Sequence, residues 1–163
     1  VRHPLPALYW QDLVADDEWE SPARTVTEAD IVLFAGLSGD YNPLHVDAEA
    51  AASGPFGGRV AHGLLGLAVA SGLASTAPRV RTLAFAALGE WAFHKPVLPG
   101  DTLHVVSRVE AVEPQSRGRR ARVTWHRRLV NQKGVTVQEG RVVTLVLGRP
   151  GTPAGPASSS PTD

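Results

Sequence analysis

Residues 63 to 77, GLLGLAVASGLASTA, carry only Ser71, Ser75 and Thr76 as polar side chains. A helix that is apolar all round is normally buried all round, so this stretch constrains the chain more than any other. The remaining residues must wrap it. Gly66 and Gly72 each cost such a helix roughly 1 kcal/mol relative to Ala, and they read as positions where a neighbouring backbone comes close. The wrapping material follows directly. Residues 81 to 94 are rich in β-compatible types, and KPVLPGD then breaks the chain with two prolines and a glycine. TLHVVSRVEAV alternates, with Leu103, Val105, Val109 and Ala111 against Thr102, His104, Arg108 and Glu110. RARVTWHRRLV alternates too, with Ala121, Val123, Trp125 and Leu129 set against Arg120, Arg122, Thr124, His126 and Arg128. NQKG signals a hairpin, and the last strand, residues 135 to 147, is expected to bulge near Gly140, where the alternation slips. Three long strands with short links predict an antiparallel meander.

Upstream, Thr27 is a candidate N-cap with Asp30 three residues on, followed by apolar Ile31, Phe34 and Ala35 and by Gly36 and Gly39. This predicts a short helix that stops at SGDYNPLH. Asp47 can cap a brief helical turn through AEAAAS, and GPFGG, residues 54 to 58, must be loop. Helices first and long antiparallel strands afterwards indicate an α+β fold: one buried helix lying against a single curved antiparallel sheet, the outline of a hot dog. At 163 residues the chain fits one domain. We assign it residues 1–148, and expect RPGTPAGPASSSPTD, residues 149–163, to be a tail outside the core.

Composition narrows the functions available. Lys plus Arg and Asp plus Glu both total 16, so neither a nucleic acid nor an anionic membrane is indicated as the main partner. The basic stretch of residues 117 to 128 interleaves arginine with apolar residues and reads as the solvated side of a strand. With no cysteine there is no disulfide framework, thiolate nucleophile or cysteine-based zinc site. The N-terminal VRHPLPALYWQDL lacks the continuous apolar core of a signal peptide, and the longest mostly apolar run, residues 60 to 74, is too short and glycine-rich to span a bilayer. A soluble, cytoplasmic protein is expected.

SGDYNPLH, residues 38 to 45, sets Asp40 and His45 five positions apart. Pro43 fixes its own φ and pushes Asn42 out of the helical region, so a turn can bring the two side chains back together. Alone, such a stretch is more often ordinary Asx-turn chemistry beside a satisfied semi-buried histidine. FGGRVAHGLLGLAVASG, residues 56 to 72, changes the reading. Here a glycine-rich loop feeds the helix N-terminus at Gly63, where free N–H groups and the positive end of the dipole suit developing negative charge, such as that on a thioester carbonyl. One preorganised donor of this kind is worth about 3 kcal/mol in a transition state.

FAGLSGDYNPLHVD, PFGGRVAHGLLGLAVASG and, more loosely, FHKPVLPGDTLHV make the chain resemble the MaoC-like dehydratases, which include the (R)-specific enoyl-CoA hydratases. The resemblance covers most of residues 10 to 147, and the 17-residue spacing from His45 to His62 is its specific part. It implies a hot dog fold, usually homodimeric with active sites near the subunit interface. Carried over by position, it implies Asp40 and His45 as a catalytic dyad holding water, and Gly63 as the backbone donor to the thioester oxygen. Ser71 matches a serine near the dyad in some hydratases, and Asn42 would support the loop or orient His45.

The implied reaction is reversible hydration of trans-2-enoyl thioesters to (R)-3-hydroxyacyl thioesters, which needs a base, an acid and a donor for the enolate oxygen. Asp40 is read as the base, with His45 holding the same water and helping to pass a proton. The implied partner is an acyl-CoA or acyl-carrier-protein thioester, with no cofactor beyond the coenzyme A or phosphopantetheine that the substrate brings. No metal is required, and the histidines show no H-x-x-x-H spacing. His62 is read as bracing the loop. Arg59 is either a contact to a phosphate of that arm or a surface salt bridge. Trp91, Phe93 and Trp125 are assigned to the core or a dimer interface, with an acyl-chain pocket as a secondary role. Two rival readings stand beside this one: a hot dog thioesterase, since one fold hosts several chemistries, and a non-catalytic acyl-thioester-binding or partner subunit.

Overall fold

The computed structural model describes residues 7–151. Helix α1, Glu28–Ser38, begins as its capping box dictates. The Thr27 hydroxyl accepts from the Asp30 N–H at 3.2 Å, and the Asp30 carboxylate accepts from the Thr27 N–H at 2.8 Å. It ends at Gly39, whose φ of 75° is the left-handed stop that glycine adopts freely. The short helix α2, Pro43–Val46, has Asn42 as its cap and Pro43 in its first turn. In α3, Ala48–Ala52, the Asp47 carboxylate accepts from the N–H groups of Glu49 and Ala50, both at 3.0 Å. Helix α4, Gly63–Ala74, is the apolar one, and it stops earlier than the expected 77. The hydroxyls of Ser75 and Thr76 donate to the carbonyls of Gly72 and Leu73, at 2.7 and 2.6 Å, and so satisfy the last turn locally.

The strands are β1 (Glu18–Glu20), β2 (Arg24–Thr25), β3 (Thr82–Phe93), β4 (Thr102–Gln115), β5 (Arg120–Asn131) and β6 (Thr136–Leu147). They form one antiparallel sheet in the order β1-β4-β5-β6-β3, with β2 also on β4. The expected meander is β4-β5-β6, and β3 returns to pair with β6. The bulge expected in β6 at Gly140 lies elsewhere. Val137 is the extra residue of β6 against β5, whereas opposite Gly140 it is β3 that carries two residues, Glu90 and Trp91, against one. Gly140 is needed there because a Cβ would meet the Trp91 Cα at 2.7 Å.

Helix α4 lies on the inner face of the sheet, where Leu65, Val69, Ala70 and Ala74 pack with Leu103, Val105, Leu129 and Val137. This is the hot dog arrangement, an α+β fold. Gly66 lets the helix sit close, since a Cβ there would lie 2.1 Å from Gln138 Nε2, while a Cβ at Gly72 would meet nothing within 4 Å and that glycine serves no such approach. The expectation of burial on every side is corrected. Leu64 is 62% exposed, and Leu83, Phe85, Leu88 and Phe93 of β3 are exposed as well, because one sheet covers only one side of a helix.

The basic stretch is solvated except at Arg127, which alternation places on the inner face with Val123, Trp125 and Leu129, only 9% exposed. Trp125 is core, in edge contact with Trp19, Trp91 is half-buried, and Phe93 is exposed. Of the expected tail, Arg149 is tied back through its N–H to Gln11 and by an ion pair to Asp12. Residues 152–163 lie outside the described ones. No helix among the described residues is long and apolar enough to cross a membrane.

Candidate active site

The turn predicted between Asp40 and His45 forms through two nested Asx contacts. Asp40 Oδ1 accepts from the Asn42 N–H at 3.2 Å, and Asn42 Oδ1 accepts from the Leu44 N–H at 3.0 Å. Asn42 therefore supports the loop by capping α2. The turn leaves Asp40 Oδ2 4.0 Å from His45 Nε2, with the Asp40 side chain 54% exposed and that of His45 11% exposed. His45 Nδ1 sits 2.7 Å from the Val60 carbonyl. A carbonyl only accepts, so Nδ1 carries a hydrogen, and in the Nδ1–H tautomer the lone pair of Nε2 lies on the side of Asp40.

His62 braces this pair from the next loop. Its Nε2–H donates to the Asp40 carbonyl at 2.9 Å, its ring stacks on His45 with centroids 3.8 Å apart at 27°, and the tilted Phe34 ring has its centroid 5.0 Å away. Asp40, His45 and His62 thus bring one ligand-capable atom each within 4.8 Å of one another, a cluster that the sequence spacing does not announce. His45 Nδ1–H and His62 Nε2–H are both engaged with backbone carbonyls, so the polar atoms that face each other across an open gap are His45 Nε2 and Asp40 Oδ2.

A cavity of about 320 Å³ opens beside the pair, lined by His45, Gly63, Phe93, Lys95 and Gln138 among others. Gly63 opens α4, and no hydrogen bond among the described residues uses its N–H. Phe93 lies against it, so a Cβ at position 63 would meet that ring at 3.0 Å. Gln138 fixes the first turn of the helix: its Nε2 donates to the Gly63 carbonyl at 3.1 Å while its Oε1 accepts from Trp91 Nε1–H at 3.1 Å. Gln138 was not identified from the sequence. Its one signal is a polar side chain on the inner face of a strand, hidden by the bulge at Val137 that shifts the alternation.

Asp40, Asn42, His45, His62 and Gly63 are brought together, and two other candidates are not. Arg59 pairs with Glu28 at 2.6 Å, the salt-bridge alternative of the two considered. Ser71 lies farther along α4 and lines a different cavity, with Arg127 and Thr144.

A family model described as MaoC like domain matches residues 14–131. Protein MaoC of Klebsiella aerogenes is 42% identical over 103 residues, which are 63% of this chain but only 30% of that protein. The (R)-specific enoyl-CoA hydratase of Rhodospirillum rubrum is 32% identical over 144 residues, 86% of this chain and 93% of that one. The crystal structure of a MaoC-like dehydratase from Rhodospirillum rubrum superposes with a TM-score of 0.80 at 35% identity, covering 88% of this chain and 99% of the other. With the family model matching well over half of the sequence and a relative matched along nearly its whole length, this chain belongs to the MaoC-like dehydratase family.

Proposed function

We propose that residues 1–148 form a hydro-lyase that reversibly adds water to trans-2-enoyl thioesters, carried by coenzyme A or an acyl carrier protein, to give (R)-3-hydroxyacyl thioesters. The observation that carries this reading is the 4.0 Å separation of Asp40 Oδ2 and His45 Nε2 beside the open N–H of Gly63. That gap is too long for a direct hydrogen bond and suits a water that donates to both acceptors, which turns its lone pairs toward the substrate. Asp40 takes a proton as the water oxygen attacks C3, and the pair returns a proton to C2. His45 holds the same water and helps that transfer. The enolate oxygen formed in between accepts from Gly63 N–H at the positive end of α4. No resident cofactor or metal enters these steps, and the likeness to a protein named (R)-specific enoyl-CoA hydratase supports the reading.

The working unit in this proposal is a homodimer. The exposed face of α4 at Leu64 and the exposed Leu83, Phe85, Leu88 and Phe93 of β3 give a second copy an apolar surface to cover.

The test follows the ultraviolet absorbance of trans-2-enoyl-CoA esters with free thiol measured in parallel. Loss of the conjugated band without thiol release is expected, with Asp40→Asn and His45→Ala lowering turnover by roughly 100-fold or more. Wild-type turnover in both variants sinks the hydratase mechanism. Thiol release in place of hydration moves the chain to the thioesterases.

A further inference from the structure

Away from the dyad, a cavity of about 190 Å³ adjoins the C-terminal half of α4, among Ser71, Phe85, Trp125, Arg127 and Thr144. Arg127 is 9% exposed, its Nε has no hydrogen-bond partner, and no carboxylate among the described residues pairs with its guanidinium. Directly across the β4–β5 ladder stands Ser107, fully buried, whose Oγ also lacks a partner. The Trp125 ring, 5.7 Å from the guanidinium carbon, offers only partial compensation. Burial holds the Arg127 guanidinium down to about 10, the direction expected of a desolvated cation. A charge kept at such cost on the inner face of a sheet calls for an anion.

We infer that this cavity binds a carboxylate at the far end of the substrate's acyl group, with Arg127 as its counter-ion, so that the preferred substrates are 2-enedioyl thioesters. This rests on the hydratase reading above. Ser71 follows Gly63 by eight residues, about 12 Å along the helix, and it shares an exposed side of α4 with Leu64 and Ala68. An acyl chain whose thioester oxygen sits at Gly63 and which runs along that side ends beside Ser71. The cavity walls suit such a tail: apolar Trp125 and Phe85 for methylenes, and hydroxyls of Ser71 and Thr144 for the anion. Trp125 Nε1–H donates to Thr144 Oγ1 at 2.9 Å, which leaves the hydrogen of that hydroxyl free for a further acceptor. A nucleotide is far too large for this space.

The experiment compares trans-2-enoyl-CoA esters of matched length ending in a methyl or a carboxylate, using the full chain and its Arg127→Gln, Arg127→Met and Arg127→Lys variants. The readout is the ratio of kcat/KM for the carboxylate ester to that for the methyl ester, at several chain lengths. The ratio exceeds one for the wild type at a favoured length, falls by roughly tenfold or more in Arg127→Gln and Arg127→Met, and is partly kept in Arg127→Lys. Arg127→Met also raises the thermal midpoint, because it removes a desolvated cation. A ratio unchanged across the four proteins overturns the inference while leaving the hydratase reading intact. Conversion of the Arg127→Gln variant to monomer with that ratio unchanged also overturns it, by assigning Arg127 to an acid of a second copy. If the wild type hydrates no enoyl thioester, the function proposed above falls and this inference with it.

Discussion

His45 and His62 stack face to face with ring centroids 3.8 Å apart, and the same His62 donates from Nε2 to the backbone carbonyl of Asp40. One side chain therefore sets both members of the pair: the ring plane of His45 by contact, and the backbone under Asp40 by a hydrogen bond. We expect His62→Ala to lower kcat by roughly 10- to 100-fold through misplacement. His62→Gln, which can still donate to the Asp40 carbonyl, should recover part of the loss. Steady-state hydration kinetics of the two variants check this; equal loss in both removes the hydrogen bond from the explanation.

Two glycines of one helix should respond with opposite signs. Gly66 faces Gln138, whose side chain is held by hydrogen bonds at both ends and cannot retreat freely. Gly66→Ala is expected to destabilise by about 1–3 kcal/mol through overpacking. Gly72 faces open space. Gly72→Ala should stabilise by up to about 1 kcal/mol through helix propensity. Urea denaturation of both variants decides it, and loss of stability in Gly72→Ala would show that its space is filled in solution.

Acid stability should report on the start of α1. The Thr27 backbone N–H, opposed in part by burial and aided by the Thr27 hydroxyl and the Arg24 guanidinium, holds the Asp30 carboxyl below the ordinary carboxylate range. A carboxylate lowered in the fold stabilises it above the unfolded-state value, and that contribution is lost as pH falls through the folded-state value. Asp30→Asn is thus expected to cost about 1 kcal/mol at neutral pH, the scale of a helix cap. The difference from wild type should narrow below about pH 4. Denaturation at neutral and acid pH checks the sign; a gap that widens in acid contradicts it.

The sequence by itself determined what depends on neighbours along the chain. Thr27 with Asp30, Gly39, Asn42 with Pro43, and Asp47 each start or stop a helix through hydrogen bonds spanning two to four residues, so these boundaries could be read directly. Alternation identified β4 and β5 for the same reason, and the six residues from Asp40 to His45 turn back on themselves. Only the tertiary structure decided the contacts that chain distance hides. Gln138 reaches the carbonyl of Gly63 from 75 residues away, and its face in β6 is set by the bulge at Val137, since one extra residue exchanges the two sides of a strand. Arg127 is the instructive case. Its place in the alternation pointed inward while its charge argued for solvent, and the register against Ser107, with buried Trp125 and Leu129 on either side, let the period prevail. The apolar helix showed the reverse: its composition called for cover on every face, and one curved sheet can reach only one of them.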